Sequence, residues 1–180
     1  MLLLEKLNFK WFNRLPMIRQ SQAAECGLAC LGMIANYHGH EIDMITLRRQ
    51  FATSLKGATL TALIAMAQQL NMSSRALRVD MEELSKLRTP CILHWELNHF
   101  VALKRVRGNK MTIHDPARGV RELTFKEAST AFTGVALGLV PSSSFEVKEE
   151  KESISMMKLV GSVTGVRSAF AQVLILSVAL

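Results

Sequence analysis

The chain is poor in cysteine, with three, and no secretory signal precedes them. The opening apolar run, Leu2 to Leu4, is too short for a signal core, and Glu5 and Lys6 follow at once. An odd count without a signal excludes a secreted disulfide framework, so the thiols are expected to be reduced, as in cytoplasm. Aromatics are also few: eight Phe, two Trp and one Tyr. A nucleic-acid surface would interleave them with clustered cations. Here Lys6, Lys10, Arg48, Arg75, Lys104 and Arg107 are scattered instead, and no nucleic-acid partner is expected. The net charge of +7 suits a face held beside an anionic membrane. No Gly-rich loop ends in Gly-Lys-Ser or Gly-Lys-Thr, which removes nucleotide binding by that route.

What is present is apolar mass. Hydrophobic residues make up 49% of 180 and charged residues 21%, enough for a sizeable core and too little charge for a disordered chain. Much of the excess lies in Val163 to Leu180, which holds one charge, Arg167. That stretch is shorter than the roughly 20 apolar residues a spanning helix needs. It reads as the start of a transmembrane helix cut by a fragment boundary, behind Lys148, Lys151 and Lys158. The positive-inside rule then puts residues 1–150 on the cytoplasmic side. A buried C-terminal helix is the alternative.

The periodicity changes once along the chain. Residues 1–15 form a short amphipathic lead. A helix is predicted from Cys26 to Tyr37, ended by Gly39, and a second over Asp43 to Phe51, with Arg48 and Arg49 suiting its C-terminal dipole. Thr59 can cap a third helix through Leu70, whose Leu60, Leu63, Ile64 and Ala67 form one stripe. Strands follow at Arg75–Val79, Cys91–Trp95, His99–Leu103, Lys110–His114, Val120–Thr124 and Val135–Val140. Gly108 and Asn109 turn one strand into the next, and a short helix starts at Phe125. Helices first and an antiparallel meander after define an α+β fold. Residues 1–140 make the domain, 141–155 a charged linker, and 156–180 the start of a membrane region.

Cys26 stands where a polar lead-in, Gln20 to Glu25, meets good helix formers. A helix N-terminus favours negative charge, and the thiolate is the nucleophile. Acyl chemistry also needs a base, a group that orients it, and donors for the oxyanion. His99 stands at a strand start and Asp115 precedes Pro116 at a turn; pairing of the strands joined at Gly108–Asn109 would bring them together. Gln20 can supply an amide to the oxyanion beside the Cys26 N–H. His94 and His114 compete for the base, and Gln22 competes with Gln20; the residues alone leave those choices open. A zinc site from Cys26, Cys30, Cys91 and His94 fits poorly, because structural zinc favours loop-borne pairs with two intervening residues. No metal and no cofactor is expected in these residues.

The segments Gln20–Ile34, Thr89–Trp95, Asn98–Val101 and His114–Gly119 resemble the N-terminal double-glycine leader peptidase domain of bacteriocin- and microcin-processing ABC transporters, especially the colicin V secretion type. The likeness covers roughly residues 15–140, with Glu25 where Asp is commoner. It implies a papain-like cysteine peptidase fold, with N-terminal helices packed on an antiparallel sheet and a transmembrane helix following. It implies Cys26, His99 and Asp115 as catalytic residues and Gln20, rather than Gln22, as the oxyanion residue. The implied substrate is a bacteriocin or microcin precursor with a Gly-Gly leader, cut during export. The implied setting is the inner membrane, in a homodimeric transporter with ATP and Mg in a downstream nucleotide-binding domain, and with a periplasmic adaptor and outer-membrane channel. A leader-docking domain without catalysis is the alternative, against which the intact Cys26, His99 and Asp115 set speaks.

Overall fold

In the computed structural model, residues 14–51 and 57–150 are described, with the isolated helical positions Gln172 and Ser177. All but Arg14 and Leu15 of the expected amphipathic lead, and nearly all of the expected membrane region, lie outside the described residues. Among the described residues no helix is long and apolar enough to cross a membrane.

The elements run in chain order as α1 (Cys26–Tyr37), β1 (Glu41–Ile42), α2 (Met44–Gln50), α3 (Leu60–Gln69) and β2 (Met72–Arg78). There follow β3 (Cys91–Trp95), β4 (His99–Arg107), β5 (Lys110–Asp115), β6 (Gly119–Thr124), α4 (Phe125–Ala128), β7 (Phe132–Pro141) and β8 (Glu149–Glu150). Single 3-10 segments cover Ala23–Glu25 and Met81–Lys86. The sheet order is β2-β7-β3-β4-β5-β6, antiparallel throughout. The expected α+β fold, helices on an antiparallel sheet, is the one observed.

Most boundaries follow local chemistry. Asp43 accepts from the Thr46 N–H (2.8 Å) and so stands outside α2 as its cap. Thr59 caps α3 by accepting from the Ala62 N–H. β2 starts three residues before the expected Arg75, because pairing with β7 continues from Arg78–Val135 to Met72–Pro141.

Helix α1 is buried along Cys26–Ala35, as expected of a helix apolar on all sides. Leu28, Leu31, Met33 and Ile34 are wholly buried, each stabilising the fold by about 1.5–3 kcal/mol on the usual transfer scale. Strand alternation divides the remaining core. Ile92, Phe100, Ala102 and Leu137 join the helical cluster. Cys91, Leu93, Val101 and Leu103 face a second cluster on the other side of the sheet. Gly27 lets the first turn of α1 settle onto its neighbours: a Cβ there would lie 3.0 Å from Leu63 and 3.3 Å from Phe100.

One segment behaves differently from its composition. Residues 142–150, charged and serine-rich, lie against the domain. Phe145 packs on the helical core with its ring edge-on to His38 and His40. Lys148 O accepts from Glu41 N (2.7 Å), β8 pairs in parallel with β1, and Glu150 meets the buried His40 at 2.9 Å. A single aromatic anchor and a two-residue ladder suffice to dock a segment with no apolar period.

Candidate active site

Cys26 is the first residue of α1, following the 3-10 turn Ala23–Glu25. The turn is built around Glu25, 3% exposed, whose carboxylate accepts from Ser21 N (2.9 Å) and Gln22 N (3.1 Å). Arg48, from the last turn of α2, closes on the same carboxylate through Nε and Nη2. The Arg48 hydrogen bond, with those backbone donors, outweighs burial and brings Glu25 down to about 2. Arg48 thus does more than complement its own helix dipole. It locks the strand of chain that presents Cys26, a role only the fold reveals.

His99 opens β4 and Asp115 closes β5, so both sit at the open end of the hairpin turned at Gly108–Asn109. The register pairs Ala102 with His114 and slips by one residue between Leu103 and Arg105. His99 Nε2 lies 2.9 Å from Asp115 Oδ1. Ala117 N (2.9 Å) and Arg118 N (3.2 Å) also donate to that oxygen, and Arg121 Nη1 approaches Oδ2 at 3.6 Å. Burial raises the Asp115 carboxyl, but the bonds from His99 and from the two amides outweigh it and leave it below its ordinary value. An ionised Asp115 makes His99 Nε2 the donor, which leaves Nδ1 free of that bond. Burial opposes a charge on His99, yet the bond to Asp115 and the proximity of the Cys26 thiol raise it to about 9. The ring is therefore an imidazolium at neutral pH.

Gln20 is tied to the same turn: its N–H donates to Pro116 O at 3.2 Å. Its side-chain oxygen is buried without a hydrogen-bond partner, so the amide is uncommitted. Nearby, Gly119 has φ +93°, and a Cβ there would stand 3.0 Å from the Arg19 guanidinium. Gln22 is exposed, and its N–H is held by Glu25.

The other histidines are engaged elsewhere. His94 stands on the wall of the Cys26 cleft, its Nδ1 2.7 Å from Thr133 Oγ1 and its ring against Phe100. His114 donates from Nδ1 to Pro16 O at 3.0 Å, and burial lowers its affinity for a proton. Cys30 is wholly buried one turn along α1, and burial pushes its thiol well up. Cys91 belongs to the cluster across the sheet and is pushed up to about 12 by burial. The sheet separates Cys91 from Cys26, so the four residues considered for zinc do not converge.

Two cavities flank the Cys26–His99 pair. The larger, about 570 Å³, reaches Cys26 and is walled by the small residues Ala23, Ala24, Gly57 and Ala58, with Leu60 and Phe100 beyond. The smaller, about 200 Å³, reaches His99 and Gln20 and is walled by Glu96, Asn98 and Arg118.

A thiol on a central helix, facing an imidazole and carboxylate carried by an antiparallel sheet, is the architecture of the papain-like cysteine peptidases. Within that class the chain belongs to the Peptidase C39 family, whose model matches residues 14–144. It is 46% identical over 172 residues to the colicin V secretion/processing ATP-binding protein CvaB of Escherichia coli, covering 96% of this chain and 25% of that one. It is 44% identical over 176 residues to the probable microcin-H47 secretion/processing ATP-binding protein MchF of Escherichia coli, covering 98% and 25%. The chain therefore spans about a quarter of the length of these curated relatives. Among solved structures, a double glycine motif protease from an AMS/PCAT transporter, in complex with the leader peptide, superposes with a TM-score of 0.68. That match has 32% identity over 73% of this chain and 94% of the other. The peptidase domain of Streptococcus ComA, at 23% identity and a TM-score of 0.66, shares the fold over 72% of this chain and all of its own.

Proposed function

We propose that this domain is a cysteine endopeptidase that removes the double-glycine leader from a bacteriocin or microcin precursor. One observation carries the reading: His99 is hydrogen-bonded to the buried Asp115 and is electrostatically coupled to Cys26, which opens into a cleft. Cys26 Sγ attacks the carbonyl carbon of the second leader glycine, and the Gln20 amide with the Cys26 N–H receives the oxyanion. His99 gives its proton to the departing nitrogen, the C–N bond breaks, and the mature peptide leaves. Water then adds to the thioester carbonyl with His99 taking its proton. Collapse releases the leader carboxylate and the thiol.

Ala23, Ala24, Gly57 and Ala58 make the cleft close around a chain without side chains, which supports glycine at the cut. The relatives' names attach such processing to secretion. By extension the domain works on the cytoplasmic side of an inner membrane, within a longer homodimeric exporter that consumes ATP. A Gly-Gly precursor incubated with the full chain, and with its Cys26→Ala variant, tests this by mass spectrometry. A single cut after the second glycine, lost in the variant, is expected. Tight leader binding by both proteins without any cut would replace the reading with that of a docking domain.

A further inference from the structure

The two cavities are not equivalent, and their chemistry gives the cleft a direction. The group that protonates a departing amine must stand on the side toward which that amine leaves. The larger cavity touches Cys26 but not His99; the smaller touches His99 and Gln20 but not Cys26. They adjoin at Ala23 and Asn98, which line both. The acyl half of a peptide bound at Cys26 therefore lies along the larger cavity, and the smaller one receives the leaving half.

The turn between β3 and β4 serves both sides. Glu96 (φ 47°) and Leu97 (φ 63°) are consecutive left-handed residues, where Asn and Gly are the usual occupants. Leu97, 82% exposed, lines the larger cavity, and Glu96 lines the smaller. The costly backbone is held by Glu96 N donating to Ala131 O (2.7 Å) and Asn98 N to Glu96 O (2.8 Å). Across the small cavity Arg118 Nη1 meets Glu96 Oε1 at 3.4 Å, while the Arg118 N–H is bound to Asp115. Its rim is thus a charged pair joining two turns: Glu96 on the β3–β4 turn and Arg118 on the β5–β6 turn that follows Asp115. The uncommitted Gln20 side chain lies in its wall.

We propose that this 200 Å³ pocket binds the first residue after the scissile bond, and that Glu96 and Arg118 determine which side chain it accepts. The inference rests on the peptidase reading and adds to it a subsite for the released peptide. With the pair intact, its charges offset one another and the pocket favours a small uncharged side chain such as Ser. Removing one partner leaves the other charge unopposed. Glu96→Gln then favours an acidic first residue and Arg118→Gln a basic one.

The test uses the full chain and precursors sharing one Gly-Gly leader, with Ser, Asp, Lys or Trp immediately after it. The readout is the Asp/Lys ratio of kcat/KM within each preparation, which is independent of the fraction folded. We expect wild type to prefer Ser and to discriminate against Trp. The ratio should rise about threefold in Glu96→Gln and fall about threefold in Arg118→Gln, the scale of half-exposed charge pairs. Equal kcat/KM across the panel, with a ratio unmoved by either substitution, would overturn the subsite and leave the peptidase reading standing. Cleavage of none of the four by wild type would overturn both.

Discussion

His99 Nε2 and Asp115 Oδ1 are 2.9 Å apart across the open end of the β4–β5 hairpin, although 16 residues separate them. The turn after β5 gives the same oxygen two backbone N–H groups, so Asp115 is held before it orients the ring. The pair has kinetic and thermodynamic consequences that can be separated experimentally.

Cys26→Ala removes the nucleophile at the cost of a single sulfur at the cleft edge of the helical core. Cleavage of a Gly-Gly precursor should vanish, with leader affinity from fluorescence polarisation and the far-UV spectrum unchanged. Full peptidase activity in this variant would sink the assignment of Cys26.

Asp115→Asn keeps the shape but removes the charge that supports the His99 imidazolium. The rate should drop by roughly 100- to 10,000-fold, the usual worth of a positioned acid–base group. His99 is raised to about 9, so wild-type activity should persist to high pH and fall as the ring loses its proton. In Asp115→Asn that alkaline limb should move to lower pH. A limb that stays in place would show that the ring owes its proton to something else.

Gln20→Ala should lower kcat by about 100- to 1000-fold with little change in KM, the signature of a lost oxyanion donor. Gln22→Ala, at an exposed side chain, should leave both parameters nearly alone. Steady-state kinetics on the two variants distinguishes them, and equal losses would remove Gln20 from the site.

Glu25→Ala should destabilise by about 1–3 kcal/mol, since it removes the acceptor for half-exposed Arg48 and for two backbone N–H groups around the turn before Cys26. Denaturant unfolding measures the loss. Activity should fall in the fraction that remains folded, because the turn sets where the thiol stands. An unchanged midpoint would mean that the turn holds itself.

Stability should peak near pH 6.5. The raised His99 contributes stability that is fully present below 6.5 and lost as pH rises through about 9. The lowered His38 and His114, both opposed to charge by burial first, contribute stability present above 6.5 and lost as pH falls. Further acidification protonates Glu25 between 4.5 and about 2, removing its contribution as well. Thermal midpoints across this range check the shape, and a maximum at pH 9 or above would contradict it.

Sequence alone determined several of the elements. The α1 span, the α3 stripe and the turn at Gly108–Asn109 are encoded within a few residues, by capping, periodicity and turn chemistry, and they stand where local rules put them. It also narrowed the chemistry to three histidines and two glutamines around one cysteine. Choosing among them was a tertiary matter. His99 rather than His94 meets Asp115, because β5 brings that carboxylate to the start of β4, while Thr133 on β7 engages His94. The Gln20 N–H is held by Pro116 and the Glu25 carboxylate by Arg48, residues far away in the chain. The docked segment 142–150 escaped its composition for the same reason: Phe145 finds its partners at the end of α1. Local sequence specifies conformation, whereas hydrogen bonds and charge pairs depend on distances that only the packing of distant segments sets.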